Sequence, residues 1–249
     1  MRTRILTIII VFVSLTICVH LILKFFAPIF ISYYWKSNTC LKYHKENIFV
    51  YTSRLYNDYE LAGIQETIDS VFVFLKKSNL TINHRVDLIF FRNLNESAKY
   101  HSISSDLYGG INIGYTCSFK SYDFSNKQDI SIIIHELVHS YEYNKQGRSK
   151  EEKWKNEGFA DFHSKPFYPD IYKFNDKFIH CIEDDTDVVF FYFLSRLRTD
   201  YLLRHKGIPE HKYWDTKYDT EKLDNEIREA MRSGEYKMFG EDEKKNSSY

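Results

Sequence analysis

Apolar and polar positions follow several different rhythms along this chain. The first stretch has no polar beat at all. From Ile5 to Leu23 there is no charged residue, and Met1-Arg2-Thr3-Arg4 ahead of it carries two positive charges. At 1.5 Å of rise per residue, about 19 residues just cross a hydrocarbon core of about 30 Å. Phe25 to Tyr34 resumes the apolarity after Lys24, and Tyr33, Tyr34 and Trp35 suit the far interface. The run predicts a transmembrane helix within residues 1–35. Arg2 and Arg4 would keep the N-terminus cytoplasmic, with the remainder on the outer or lumenal side of a single-pass membrane protein. The alternative is secretion after signal cleavage. The length of the run and the lack of a small-x-small site weigh against it.

The rest of the chain changes period repeatedly. Asn47 to Thr52 reads as a strand, with Ile48, Phe49, Val50 and Tyr51 at its centre. Leu61, Ile64, Ile68, Val71, Phe72 and Leu75 recur at helical spacings, predicting a helix over Tyr59–Lys77. Val86 to Phe91 is apolar enough for a strand, and Asn95 to Tyr100 suits a short helix. Gly109 to Tyr115 reads as a strand bracketed by glycines. Ser125-Asn126-Lys127-Gln128 has the form of a capping box. It precedes a helix that carries Ile130, Ile132, Ile133, Ile134, Leu137 and Val138 on more than one side, the mark of deep burial. Further helices are expected from about Trp154 through Phe162 and from about Val188 to His205.

Few strands, several helices and no strict alternation give an α+β class. The expected layout is one domain over 36–235 and a polar tail over 236–249. Equal numbers of acidic and basic residues, 34 of each, offer nucleic acid no electrostatic footprint. The four cysteines lack C-x-x-C spacing, so neither a zinc-thiolate nor a redox motif is present. A Cys117–Cys181 bridge and plain buried thiols both remain open from spacing alone.

The candidate chemistry lies in the buried helix. His135 and His139 are four residues apart and share one helical face, where both imidazoles can converge on one metal ion. Glu136 sits beside the first histidine, placed to take a proton from the attacking water rather than to bind the ion. Buried histidines and a buried glutamate are costly without partners, and a metal is such a partner. In the next helix Glu157 and Asp161 are again four apart. Glu157 is the candidate third ligand. Asp161 is the candidate acceptor for a ligating histidine's other ring N–H.

Together, His135-Glu136-x-x-His139 and Asn156-Glu157-Gly158-Phe159-Ala160-Asp161 resemble the gluzincins, the thermolysin-like and aminopeptidase-like zinc peptidases of the MA group. The resemblance implies a zincin-like fold, one Zn²⁺ per chain held by His135, His139 and Glu157, and a peptide or protein substrate. Tyr192 to Gly207 is similar to a tyrosine-initiated helix in small members of the group. That makes Tyr192 the first candidate for the oxyanion hydrogen bond, with His163, Tyr168 and Tyr172 behind it. The strand at Gly110, Ile111, Asn112 and Ile113 is the candidate for pairing with an extended substrate. The glutamate-bearing G-x-M-E-N segment of aminopeptidases is missing, which favours an endopeptidase. Two other readings share these residues: a membrane-tethered zincin-fold binding protein without activity, and a metal-dependent hydrolase of a non-peptide amide. The Asp184-Asp185-x-Asp187 cluster lacks the glycine and distal glutamate of a calcium loop and reads as a solvated helix start.

Overall fold

The computed structural model describes residues 14–16, 30–98, 110–124, 130–146, 152–165, 171–181 and 187–237. They fall into two compact units, and the division passes through one helix, α2 (Ile64–Lys77).

The first unit is built on a mixed five-stranded sheet. Its strands are β1 (Thr39–Lys45), β2 (Ile48–Ser53), β3 (Val86–Phe90), β4 (Gly110–Ile113) and β5 (Thr116–Phe119), in the order β1-β2-β3-β5-β4. Two antiparallel pairs, β1–β2 and β5–β4, flank a centre in which β2, β3 and β5 run parallel. Central parallel strands are covered on both faces, and every residue of β3 is buried. Phe90 on one face stacks on Phe119 at 4.5 Å between ring centroids and meets Phe124 at 4.8 Å. On the other face Ile89 and Phe91 pack with Trp35, against Tyr51, Ile111 and Ile113. Gly114 and Tyr115, read from sequence as strand, instead form the two-residue turn between β4 and β5. Gly114 has a positive φ of 64°, which a tight hairpin turn requires and glycine supplies without strain.

Trp35 belongs to a helix over residues 30–37 (α1). This helix contradicts the N-terminal expectation. Trp35 is only 2% exposed, so it is a core residue of the sheet and not an interfacial aromatic. Lys36 Nζ donates to Asp87 Oδ2 at 2.8 Å, and Ser32 Oγ and Thr116 Oγ1 share a 2.7 Å hydrogen bond. These contacts tie α1 to β3 and β5. No helix among the described residues is long and apolar enough to cross a membrane. The transmembrane helix, the single-pass placement and the membrane contact drawn from it are therefore not supported. Most of the apolar run at 5–23 lies outside the described residues, as does the capping box at 125–128.

Two other boundaries differ from expectation. The helix expected from Tyr59 begins at Ile64. Asn57 and Glu60 cap a turn ahead of it through reciprocal 2.9 Å bonds between side chain and backbone N–H. That turn closes through three-residue bonds, Ala62 N to Tyr59 O and Ile64 N to Leu61 O, before the α-helical ladder starts. The short helix α3 covers Leu94–Ser97, capped by Asn93, whose side chain accepts from Glu96 N. Cys40, Cys117 and Cys181 are not joined by a disulfide, so the Cys117–Cys181 bridge does not form; Cys117 is a buried thiol, while Cys181 is exposed.

The second unit is helical: the C-terminal part of α2, then α4 (Ser131–Gln146), α5 (Lys153–Ser164), α6 (Ile171–Ile179), α7 (Val188–Asp200), a π-helical turn over Tyr201–His205, α8 (Glu210–Asp215) and α9 (Thr220–Arg232). Asp187 is the N-cap of α7, its carboxylate accepting from Phe190 N at 3.0 Å, which is the helix start read for that acidic cluster. Helix α5 packs against both α4 and α7. Its approach to α7 is set by Gly158, where an added Cβ would lie 2.2 Å from Ser195 O and 2.3 Å from Thr199 Oγ1. Below that contact Tyr213 is fully buried. Its hydroxyl pairs with Thr199 Oγ1 at 2.8 Å and donates to Lys155 O at 3.1 Å, joining α7, α8 and α5. The Arg198 guanidinium forks onto Asp224 through two 2.7 Å bonds and fixes α9 to α7.

Since the atom that Gly158 spares is backbone, the contact cannot relax by a rotamer change. Gly158→Ala should lose about 3 kcal/mol, the upper end of overpacking costs. That corresponds to a fall of roughly 6–12 °C in melting temperature for a chain of this size. A melting curve superimposable on the parent's would show that α5 and α7 do not depend on this approach.

Candidate metal centre

Helix α4 has buried residues on nearly all sides, including Ile133, Ile134, Leu137 and Val138. That apolar surround holds the helix in one rotation, and the rotation presents His135 and His139 together towards α5. The two imidazoles meet edge to face at 4.6 Å between centroids. Their Nε2 atoms stand 3.0 Å apart. Glu157 Oε2, from α5, lies 3.3 Å from His135 Nε2 and 3.3 Å from His139 Nε2.

Each imidazole has a carboxylate behind it. His135 Nδ1 is 2.7 Å from Asp161 Oδ1, four residues beyond Glu157 on α5. His139 Nδ1 is 3.4 Å from Glu142 Oε2, three residues further along α4. A ring that donates from Nδ1–H to a carboxylate presents a bare lone pair at Nε2. Three lone-pair atoms, two nitrogens and one oxygen, therefore face a common point. In water-poor surroundings that is repulsive unless a cation or shared protons lie between them. The spacing suits a metal. Donors held at about 2.0–2.1 Å around a tetrahedral ion stand roughly 3.3 Å from one another. His135, His139 and Glu157 thus form a group able to hold a metal ion.

The charge balance points the same way. Glu136, Glu142, Glu157 and Asp161 surround only two imidazoles, and Glu136, Glu142 and Asp161 are buried. In the metal-free protein, protons make up the deficit. Burial disfavours the His135 imidazolium, but the Asp161 and Glu157 carboxylates outweigh it and lift His135 to about 10. His139 is likewise raised, burial being overcome by Glu142 and Glu157. Burial pushes Glu157 up, yet the two imidazoles hold it well below the ordinary carboxylate range. Burial raises Glu136 despite the same imidazoles and lifts Glu142 to about 7. A divalent cation would replace those protons and let the imidazoles be neutral.

The remaining candidates are distributed unevenly. Tyr192 on α7 lies with its ring 6.1 Å from that of His135, so it borders the group. His163 does not. Its ring packs on Phe159 at 4.5 Å and Phe162 at 5.2 Å, and burial, with Lys165 adding, pushes it down to about 4. Tyr168 and the side chain of Tyr172 lie outside what is described. Gly110, Ile111, Asn112 and Ile113 form β4, an edge strand of the first unit. Ile111 and Ile113 pack against the Trp35 cluster, and Asn112 Nδ2 donates to Cys117 Sγ at 3.3 Å. Glu142 was not foreseen. Its signal was the three-residue step from His139, which places both on one helical face. Neither the known protein-family models nor the curated proteins contain a match to this chain.

The proton-filled cluster has a pH signature. A raised His135 contributes stability that is complete below its unfolded value of 6.5 and lost as pH rises through about 10. A depressed Glu157 contributes stability present above 4.5 and lost as pH falls. Melting temperatures of the metal-free protein should therefore fall between about pH 7 and pH 10, and fall less in Asp161→Asn. A parent profile that is flat across that interval would contradict the cluster's charge state.

Proposed function

We propose that the chain is a zinc metallopeptidase that hydrolyses peptide bonds with activated water, in the manner of the gluzincins it resembles. The observation that carries this reading is the convergence of three lone-pair atoms of His135, His139 and Glu157 beside the buried carboxylate of Glu136. Two nitrogens and one carboxylate oxygen match zinc's preferences, and three protein ligands match a catalytic site more than a closed structural one. What the ion supplies when bound is Lewis acidity, enough to bring water to a pKa of about 7 and to polarise a carbonyl.

The protein's own groups would do the rest. Glu136, raised by burial, is suited to accept a proton from the attacking water and to return it to the leaving amine. Asp161 fixes the tautomer and orientation of His135 through its 2.7 Å contact. Tyr192, beside His135, is the candidate donor to the developing oxyanion. The absence of the aminopeptidase glutamate segment keeps an endopeptidase in front of an exopeptidase.

Elemental analysis of the full chain after exposure to zinc is the primary test. About one zinc per chain is expected, with much less in Glu157→Ala. A folded parent that takes up none would end the metal reading. With metal established, Glu136→Gln should retain zinc and lose nearly all cleavage of an unfolded protein such as casein. Undiminished cleavage would sink the mechanism. Tyr192→Phe should lower kcat about 10²–10³-fold at little change in KM, as the removal of one oxyanion donor does.

A further inference from the structure

Glu142 is a buried carboxylate that neither the ligand set nor the proposed chemistry uses. It lies on α4 three residues after His139, with side-chain exposure of 10%. Oε2 faces His139 Nδ1 at 3.4 Å. Oε1 is sealed from solvent and meets no hydrogen-bond donor among the described residues. A buried carboxylate that is only half satisfied is costly, and an apolar side chain of equal size would be cheaper to bury. Packing gives no reason for an acid here. Its geometry does. Glu142 stands behind His139 as Asp161 stands behind His135, so each imidazole is backed by a carboxylate on the side away from the shared point.

We propose that Glu142 is a positioning residue for the metal centre: its Oε2 accepts the Nδ1–H of His139 and so holds the Nε2 lone pair on the ion. This rests on the metal reading given above. The two clamps are unequal. Asp161 reaches across from α5 and holds His135 at 2.7 Å, whereas Glu142 comes from the same helix as its histidine and stands off at 3.4 Å. His139 is therefore the less firmly oriented ligand. Glu142 trades stability of the metal-free fold for affinity.

Both halves of that trade are measurable in the full-length chain. Zn²⁺ affinity is read by competition with a chromogenic chelator of known affinity, and folding by thermal melting of the metal-free protein. Glu142→Met fills the same space without an acceptor. It should melt no lower than the parent yet bind Zn²⁺ about 10–100-fold more weakly, the usual cost of losing a partner behind a ligand. Glu142→Gln keeps an acceptor oxygen and should recover most of that affinity. A purely structural Glu142 would give neither result. Parent-like affinity in the Met variant overturns the inference while leaving the metal reading intact, and so does a Gln variant as weak as the Met one. A parent that binds no Zn²⁺ removes the metal reading itself, and the inference with it.

Discussion

Three acceptor atoms within bonding distance of one point form the constraint on which the helical unit turns. Left to themselves, His135 Nε2, His139 Nε2 and Glu157 Oε2 repel, and the surrounding carboxylates make the point more negative still. Such an arrangement survives only if the scaffold is rigid enough to hold it and something positive is shared among its members. In the metal-free protein the carboxylates raise both imidazoles and the imidazoles hold Glu157 low, so protons take that place. The same geometry that is a burden without an ion is preorganisation for one. For any ion that bound there, the cost of bringing the donors together would already have been met during folding.

Rigidity comes from the stacking of α4, α5 and α7. Helix α5 brings Glu157 and Asp161 to α4 with one residue spacing and, with Gly158 between them, lets α7 approach closely. One short segment therefore sets both the position of Glu157 and the distance to the helix that carries Tyr192. Tyr213 and Lys155 lock the far side of the same helix. Lys155 Nζ donates to Thr216 O at 2.5 Å, pairs with Glu152 and lies over the Tyr218 ring. A buried lysine is tolerable because each of its needs is met nearby.

The core of the site was legible because its information is local. The four-residue steps His135–His139 and Glu157–Asp161 state which side chains share a face, and strong helical patterning states that the faces exist. What was not legible depends on partners distant in sequence. In β1 a register shift between Leu41 and Tyr43 breaks the alternation that would have announced a strand. β5 is four residues with Thr116 and Ser118 fully or nearly buried, so its polarity hides its place beside β3. α9 is a different case: Leu223, Ile227 and Ala230 recur at helical spacing behind the Asp219 cap, a local signal diluted by a charged background. The N-terminal expectation fails for the same reason as β1 and β5. An aromatic after an apolar run has the same local appearance at a bilayer surface and in a core, and only Ile89 and Phe91 decide which it is.

The burial of Trp35 also has a kinetic consequence. Its partners Ile89 and Phe91 follow it by roughly fifty residues, and the central strands are parallel, so the contacts that cover it are non-local and costly in loop closure. During synthesis Trp35 leaves the ribosome well before β3 exists. For that interval α1 has no sheet to cover, and a large aromatic is open to water and to other chains. The first unit cannot condense from its N-terminus inward. It must wait for β3, and the speed with which β3 finds β2 sets how long Trp35 remains a liability.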